Sequence, residues 1–159
     1  MISKTLFAAL LLFTFTGILP AHLHAQTAKH VSADMTTDVL RLVNEHRTGM
    51  GLGALKINQA IAKAAAVHTH NMATKKVPFG HDGYDERMNA ISKQLKNVIA
   101  DAENVAYGAN TAKEVVDMWL HSPGHKKNIE GNYNLTGLAI EKGTDGQLYY
   151  TQIFVKAGN

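Results

Sequence analysis

The chain of 159 residues has no cysteine and few aromatic residues. Without cysteine, the protein has neither disulfides nor a lipid-modified cysteine anchor, so its hydrophobic core must stabilise the fold alone. The net charge is only +3, and the basic residues are dispersed instead of forming a stripe with interleaved aromatic residues. This distribution argues against nucleic acid as the main partner. Internal repeats and low-complexity linkers are also absent, which favours one domain.

The chain has one long apolar run, and it lies near the N-terminus at residues 6–19. Lys4 precedes this run, Pro20 follows it, and the small residue Ala25 provides a cleavage point. The pattern predicts a secretory signal peptide at residues 1–25, and therefore a secreted or periplasmic protein without a transmembrane segment after cleavage. An uncleaved anchor is the alternative, but apolar runs shorter than about 18 residues rarely span a membrane.

Helical periodicity dominates the first two thirds of the remaining chain. Asn58 is suited to cap the longest predicted helix, and Thr111 with Glu114 has the spacing of a capping box. Residues 92–101 are polar and have no clear period, so they predict a surface connection. The predicted helices cover residues 36–47, 58–76, 82–90 and a segment from 112 onward.

The segment Ser122-Pro123-Gly124-His125 predicts a break between two helices. Pro123 disfavours helical geometry for Ser122, and serine followed by proline is a preferred helix start. His125 is then placed in a first helical turn, where the positive end of the helix dipole should lower the pKa of its imidazole. A neutral imidazole can bind a metal or accept a proton. The break also means that His121 and His125 do not share one helical face.

The C-terminal part of the chain has the pattern of a β-hairpin. Residues 135–141 and 148–155 are apolar and aromatic, and the turn between them contains Asp145-Gly146. An Asp-Gly pair favours a tight turn between antiparallel strands. Helices followed by a terminal hairpin predict an α+β fold in which the helices pack on a sheet.

Three ionisable residues lie beside turn-forming or capping residues, which indicates one polar cleft: His81, Glu103 and His125. Each also has an ordinary structural interpretation. His81 can be a loop histidine bonded to backbone, and His125 can accept a hydrogen bond from a neighbouring amide. For Glu103, an ion pair with Arg87 or Arg47 is the ordinary role.

Several other residues are better explained by packing than by binding. Trp119, His46 and His68 fall on apolar helical faces, so we expect core or edge positions for them. Asn104 and Asn128 are suited to bond backbone groups of loops. Three tyrosines can line a groove for sugar or lipid, although alternation along a strand explains them more simply: Tyr107, Tyr149 and Tyr150.

Residues 38–155 resemble, in order, the bacterial branch of the CAP superfamily, which includes cysteine-rich secretory proteins, insect-venom antigens and plant pathogenesis-related proteins. Asn44 and Arg47 resemble its opening segment, and His68 and Met72 resemble its second helix. Each motif is weak alone, but their order makes the set specific. The remaining motifs are Phe-Gly-His at 79–81, Ala-Glu-Asn-Val-Ala at 102–106, the Trp to Ser-Pro-Gly-His to Asn-Ile segment at 119–129, and Tyr-Thr-Gln-Ile-Phe at 150–154.

The resemblance implies a three-layer α-β-α sandwich with a central, mainly antiparallel sheet over residues 36–156, preceded by a connecting segment at 26–35. It also implies an exported protein with a cleft that holds a divalent ion such as zinc in some members. Matched by position, the possible ligands are His81, His125 and Glu103. Eukaryotic members often have a second glutamate where this chain has Ser122, so a site with four ligands is in doubt. Glu86 lies near His81 in the sequence and is a weak candidate to replace that glutamate.

The function expected from these residues is extracytoplasmic ligand binding by a monomer, with metal optional and with a peptide, glycan or lipid as the ligand. One alternative is a zinc-assisted hydrolase acting on peptide or cell-wall material, because two imidazoles and a carboxylate leave a coordination position open for water. Without metal, Glu103 can accept a proton while His81 or His125 donates one. A second alternative is lipid or sterol binding, which needs an apolar groove. Whether the protein is an enzyme stays open.

Overall fold

The computed structural model describes the backbone of residues 21–158 and the side chains of residues 34–158. Of the predicted signal peptide at residues 1–25, positions 1–20 lie outside the described residues. No helix in the described part of the chain has the length and apolarity that a membrane span requires. The elements are α1 (Ala21–Gly49), β1 (Lys56–Ile57), α2 (Gln59–Ala73), α3 (Tyr84–Gln94), β2 (Val98–Tyr107), α4 (Ala112–His121), α5 (Pro123–Ile129), β3 (Leu135–Lys142) and β4 (Leu148–Ala157).

The strands form one sheet with the order β1-β3-β4-β2. β1 pairs with β3 in parallel, and the other two pairings are antiparallel. Alternate side chains of β4 point to opposite faces: Tyr150 and Phe154 pack against α1, α4 and α5, whereas Ile153 and Val155 pack against α2 and α3. The predicted α-β-α sandwich with a mainly antiparallel sheet is confirmed.

The first helix is longer than its periodicity predicts. α1 begins at Ala21 and has 29 residues, so residues 26–35, predicted as a connecting segment, are helical. α1 is therefore the longest helix, and the prediction that α2 is the longest is wrong. Neither proline nor glycine occurs between Pro20 and Gly49, so the sequence contains no strong helix breaker in this interval.

β2 is the main element that the sequence pattern does not identify. Its first residues, 98–101, belong to the segment predicted as a surface connection. Residues 102–106 are all buried, because helices cover both faces of the strand. The strand therefore lacks the alternation of apolar and polar residues that marks a half-buried strand. Glu103 and Asn104 are neighbours in this strand and point to opposite faces of the sheet.

Side chains cover the free edge of β2. Three backbone carbonyls on alternate residues of the strand point away from β4, and each accepts a hydrogen bond from the segment that follows β2. Exposed strand edges invite pairing with another chain, so these bonds block that pairing and hold α5 beside Glu103. The carbonyls and their donors are Asp101 with the Tyr133 hydroxyl at 3.5 Å, Glu103 with Asn128 Nδ2 at 3.2 Å, and Val105 with Trp119 Nε1 at 3.4 Å.

The predicted side-chain caps of α2 and α4 are present, whereas the Ser122 side chain makes no cap hydrogen bond to α5. The Asn58 side chain accepts hydrogen bonds from the first amides of α2, and Thr111 forms a complete capping box with Glu114 at the start of α4. Ser122 has an extended backbone, and Pro123 is the first residue of α5. These local signals set the positions of α2, α4 and α5 along the chain.

Arg47 connects the end of α1 to the segment between α5 and β3. The side chain is buried, and burial lowers its pKa. It does not pair with Glu103; of the two predicted partners, Arg87 makes that ion pair. Instead, the Arg47 guanidinium donates to four backbone carbonyls: those of Gly53, Ile129, Gly131 and Tyr133.

Gly137 in β3 allows α2 to pack directly on the sheet. A Cβ atom at this position would lie closer than 3.0 Å to backbone atoms of Ile61 and Ala62. We predict that Gly137→Ala lowers the free energy of unfolding by about 1–3 kcal/mol or more, because the helix must move away from the sheet. Urea unfolding of the variant and the parent protein measures this difference.

Gly53→Ala is the matched control, because no atom lies within 4 Å of the Cβ position at Gly53. We expect little change in its stability. If the two variants were equally stable, close packing of α2 on β3 would not limit the residue at position 137.

Candidate functional site

A buried carboxylate lies at the centre of the candidate site. The side chain of Glu103 is 1% exposed and points from β2 toward α2 and α3. Arg87 of α3 holds both of its oxygens, with Nη2 2.8 Å from Oε1 and Nε 3.0 Å from Oε2. His81 Nδ1 lies 2.9 Å from Oε1. The ion pair between Glu103 and Arg87 is thus present together with the contact to His81.

The hydrogen bond to Glu103 determines which nitrogen of His81 is protonated. A carboxylate has no hydrogen to donate, so His81 Nδ1 donates and Nε2 of the neutral ring is left as an acceptor. The His81 side chain is 50% exposed, in the loop between α2 and α3. The site therefore presents a half-exposed imidazole in a defined orientation, backed by a buried charge.

His68 makes a hydrogen bond to the loop that carries His81. It is buried in α2, as its helical spacing predicts, and Nε2 donates to the Gly80 carbonyl at 2.9 Å. The same nitrogen lies 3.9 Å from Glu103 Oε1. Burial is the main cause that lowers the pKa of His68. The sequence pattern identified a core histidine but missed its contact with the loop that carries His81.

His125 lies on the other side of the β2 edge, in the first turn of α5. Its pKa is lowered, mainly because the ring is partly buried and secondarily because of the charge of His81. The predicted direction of this shift is confirmed, with burial as the leading cause. Its backbone carbonyl accepts from Asn104 Nδ2 at 3.1 Å, and Asn128 Nδ2 lies 2.9 Å from Asn104 Oδ1. The two asparagines thus fix α5 to β2.

Other candidate residues lie outside this group. Glu86 is exposed on α3, so its position does not support it as a replacement for a second acidic ligand. His121 is exposed on α4 and its Nδ1 donates to the Asp117 carbonyl. His46 Nε2 in α1 lies 2.9 Å from Glu130 Oε1, just after α5.

Two features of the donor set oppose binding of a divalent ion. Zinc sites in proteins usually have three or four protein ligands. Both oxygens of Glu103 already accept hydrogen bonds, and residues 34–158 contain no group of three or more His, Cys, Asp or Glu side chains arranged to hold a metal ion. This arrangement does not fit a three-ligand site. The metal site expected at His81, His125 and Glu103 stays a prediction.

The fold and the ordered motifs define a member of a known family. The model of the cysteine-rich secretory protein family, CAP, matches residues 40–154, and the chain belongs to this family. The resemblance in the sequence is therefore confirmed.

Relatives and solved structures agree with this assignment. The chain is 31% identical over 119 residues to the protein YkwD of Bacillus subtilis, a match covering 74% of the chain and 45% of YkwD. An extracellular protein with an SCP domain from Bacillus anthracis has the same fold, with a TM-score of 0.71 and 22% identity over 89% of the chain and 45% of that protein. An outer surface protein of Borrelia burgdorferi gives a TM-score of 0.66 and 22% identity over 79% of the chain and 94% of that protein. The chain spans less than half the length of YkwD.

Arg87 is expected to be the main stabilising partner of Glu103. We predict that Arg87→Met lowers the free energy of unfolding by about 3–5 kcal/mol, because it leaves a buried charge without its cation. Adding Glu103→Gln to the same protein should recover part of this loss, since the uncompensated charge is removed. Chemical denaturation of the single and double variants measures both effects.

Lys113→Met is the control, because Lys113 forms an exposed ion pair with Asp117. Pairs of this kind contribute little to stability. A loss in Arg87→Met no larger than that in Lys113→Met would contradict a stabilising role for the buried pair.

The lowered pKa values of His68 and His125 predict acid destabilisation. Both rings have an ordinary pKa of 6.5 when unfolded and a lower one when folded. Between these values the unfolded chain binds more protons, so stability is full above pH 6.5 and falls as the pH decreases below it. Urea unfolding above and below pH 6.5 measures this slope.

His68→Gln should give a shallower dependence of stability on pH than the parent protein, even if it is less stable overall. The exposed His121→Gln serves as the control for removing a histidine. A slope in His68→Gln as steep as in the parent would show that His68 does not contribute to the acid effect.

Proposed function

We propose that this protein is exported and binds a ligand outside the cytoplasm in a cleft formed by His81, His125 and Glu103. The observation that carries the proposal is the hydrogen bond from His81 Nδ1 to the buried Glu103. It orients a half-exposed imidazole before any ligand arrives, and a preoriented group loses less conformational freedom on binding.

The chemistry of the cleft suits a ligand with hydroxyl or amine groups. His81 Nε2 accepts hydrogen bonds when the ring is neutral. Burial favours the neutral form of His125 as well. Glu103 has both oxygens engaged by His81 and Arg87, so it is less suited to take a proton from a substrate. This occupancy supports binding over hydrolysis as the main role.

Export is supported by two independent observations. The N-terminal residues have the charge, apolar run and small-residue end of a signal peptide. Two proteins with the same fold are described as extracellular and as an outer surface protein.

Lipid binding is a second candidate because a cavity lies between α1 and α4. Its apolar lining includes Leu42, Val116 and Leu120. Five charged residues also line it, so a lipid would have to place its polar end at these groups: Asp38, Arg41, Glu45, Lys113 and Asp117.

The test of the proposed function compares the mature protein with His81→Ala and His125→Ala in calorimetric titrations with soluble cell-wall fragments. We expect binding by the parent and a loss of about tenfold or more in each variant, which corresponds to about 1.4 kcal/mol for one lost polar interaction. His121→Ala is the control, and its affinity should be unchanged.

Mass spectrometry of the incubated fragments and of extracted lipids separates the alternatives. Turnover that disappears with a chelator and in Glu103→Gln would establish the zinc-assisted hydrolase instead. Co-purified lipid released by a charged substitution at Leu42 would favour the α1–α4 cavity. Equal zinc affinity in the parent and both histidine variants would reject the hypothesis that the cleft binds zinc.

A further inference from the structure

Phe79 and Tyr107 form an exposed pair of aromatic rings. Phe79 is 46% exposed and Tyr107 is 50% exposed, although large aromatic side chains usually bury most of their surface. Their centroids are 4.7 Å apart in an edge-to-face arrangement. Tyr149 is buried beneath them, with its ring stacked on Tyr107 at 5.8 Å. We call Phe79, Tyr107 and Tyr149 the aromatic platform.

The aromatic platform is continuous with the proposed cleft. Phe79 lies two residues before His81 in the same loop. Tyr107 and Glu103 are on the same face of β2, because side chains of a strand alternate. The two residues are four positions apart along the strand, so their Cα atoms are about 13 Å apart. A ligand longer than one small ring can therefore contact the platform and His81 together.

The charges beside the aromatic platform are paired with each other. Lys75 Nζ lies 2.6 Å from Asp145 Oδ2 and 4.6 Å from the centre of the Tyr149 ring. The Tyr149 hydroxyl donates to the same carboxylate at 2.7 Å. These bonds lower the pKa of Asp145 to about 2, with the Lys75 contact as the largest cause. The cation and the carboxylate beside the platform thus offset each other, which suits an uncharged ligand.

The edge of β2 disfavours an extended peptide as that ligand. Peptides commonly bind beside a sheet by adding a strand to its edge. The outward carbonyls of Asp101, Glu103 and Val105 already accept hydrogen bonds from side chains. A ligand at this surface must therefore use ring faces and side-chain groups instead of strand pairing.

We propose that Phe79 and Tyr107 form a stacking subsite for a neutral carbohydrate chain whose hydroxyl groups reach His81. A sugar ring has an apolar C–H face that packs on an aromatic ring, and hydroxyl groups at its rim that donate to an imidazole acceptor. Both surfaces occur side by side here. The inference rests on the proposed function, because it assigns a ligand class to the same cleft.

The experiment measures binding of a soluble chitin oligosaccharide by calorimetry or by NMR shifts of the tyrosine and histidine rings. We expect Phe79→Leu and Tyr107→Leu each to weaken binding about 2- to 12-fold, the range for one aromatic contact. Leucine keeps apolar bulk but removes the flat face. Tyr107→Phe restores that face and should bind like the parent. Ile99→Ala removes exposed apolar surface elsewhere on β2 and is the control.

The outcomes distinguish the inference from the function on which it depends. Unchanged binding in both leucine variants, with binding lost in His81→Ala, would overturn the aromatic subsite and leave the cleft in place. Weaker binding in both leucine variants, with unchanged binding in His81→Ala, would support the subsite and reject His81 as part of the cleft. No binding of the oligosaccharide by the parent, or stronger binding of phosphatidylcholine vesicles that depends on Phe79, would reject a carbohydrate ligand. Thermal unfolding of each variant confirms that it is folded.

Discussion

The buried carboxylate of Glu103 is the constraint on which the arrangement of the site depends. A charge removed from water in the middle of a strand costs several kcal/mol unless a cation and hydrogen-bond donors compensate for it. Here Arg87 supplies the cation from α3, and His81 supplies a donor from the loop between α2 and α3. Both must lie beside β2 for the fold to be stable. The same contacts that stabilise the buried charge therefore determine the orientation of the exposed imidazole.

The position of β2 at the edge of the sheet brings the loop that carries His81 and the helix that carries His125 to the same strand. Glu103 points to one face, where the loop carrying His81 lies, while Asn104 points to the other face and holds the backbone of His125. Asn128 bonds the outward carbonyl of Glu103 and so brings α5 to the strand edge. An edge strand is needed for this arrangement, because a central strand would have another strand in place of α5.

Membership of the CAP family and a shared fold do not decide what this cleft binds, since one fold hosts many functions. The local chemistry is more informative. Glu103 is engaged by Arg87 and His81, and these contacts orient the imidazole of His81. The exposed rings of Phe79 and Tyr107 add apolar ring surface near the polar site. A ligand that used both surfaces would have to extend over more than one ring, as the proposed carbohydrate chain does.

Short-range interactions made much of this fold predictable from the sequence. The cap at Asn58, the capping box at Thr111 and the break at Ser122-Pro123 depend on residues at most a few positions apart. The hairpin and the ordered motifs were likewise readable, and the motifs supplied His81, Glu103 and His125 as candidates. Only the tertiary structure determined the position of β2 and the partner of Glu103, because neither depends on a local pattern. β2 has no alternating pattern because residues 102–106 are buried on both faces, and the sequence leaves Arg87 and Arg47 as alternative partners for Glu103. Which cation reaches a buried charge depends on how distant elements pack, and packing is determined by the whole chain.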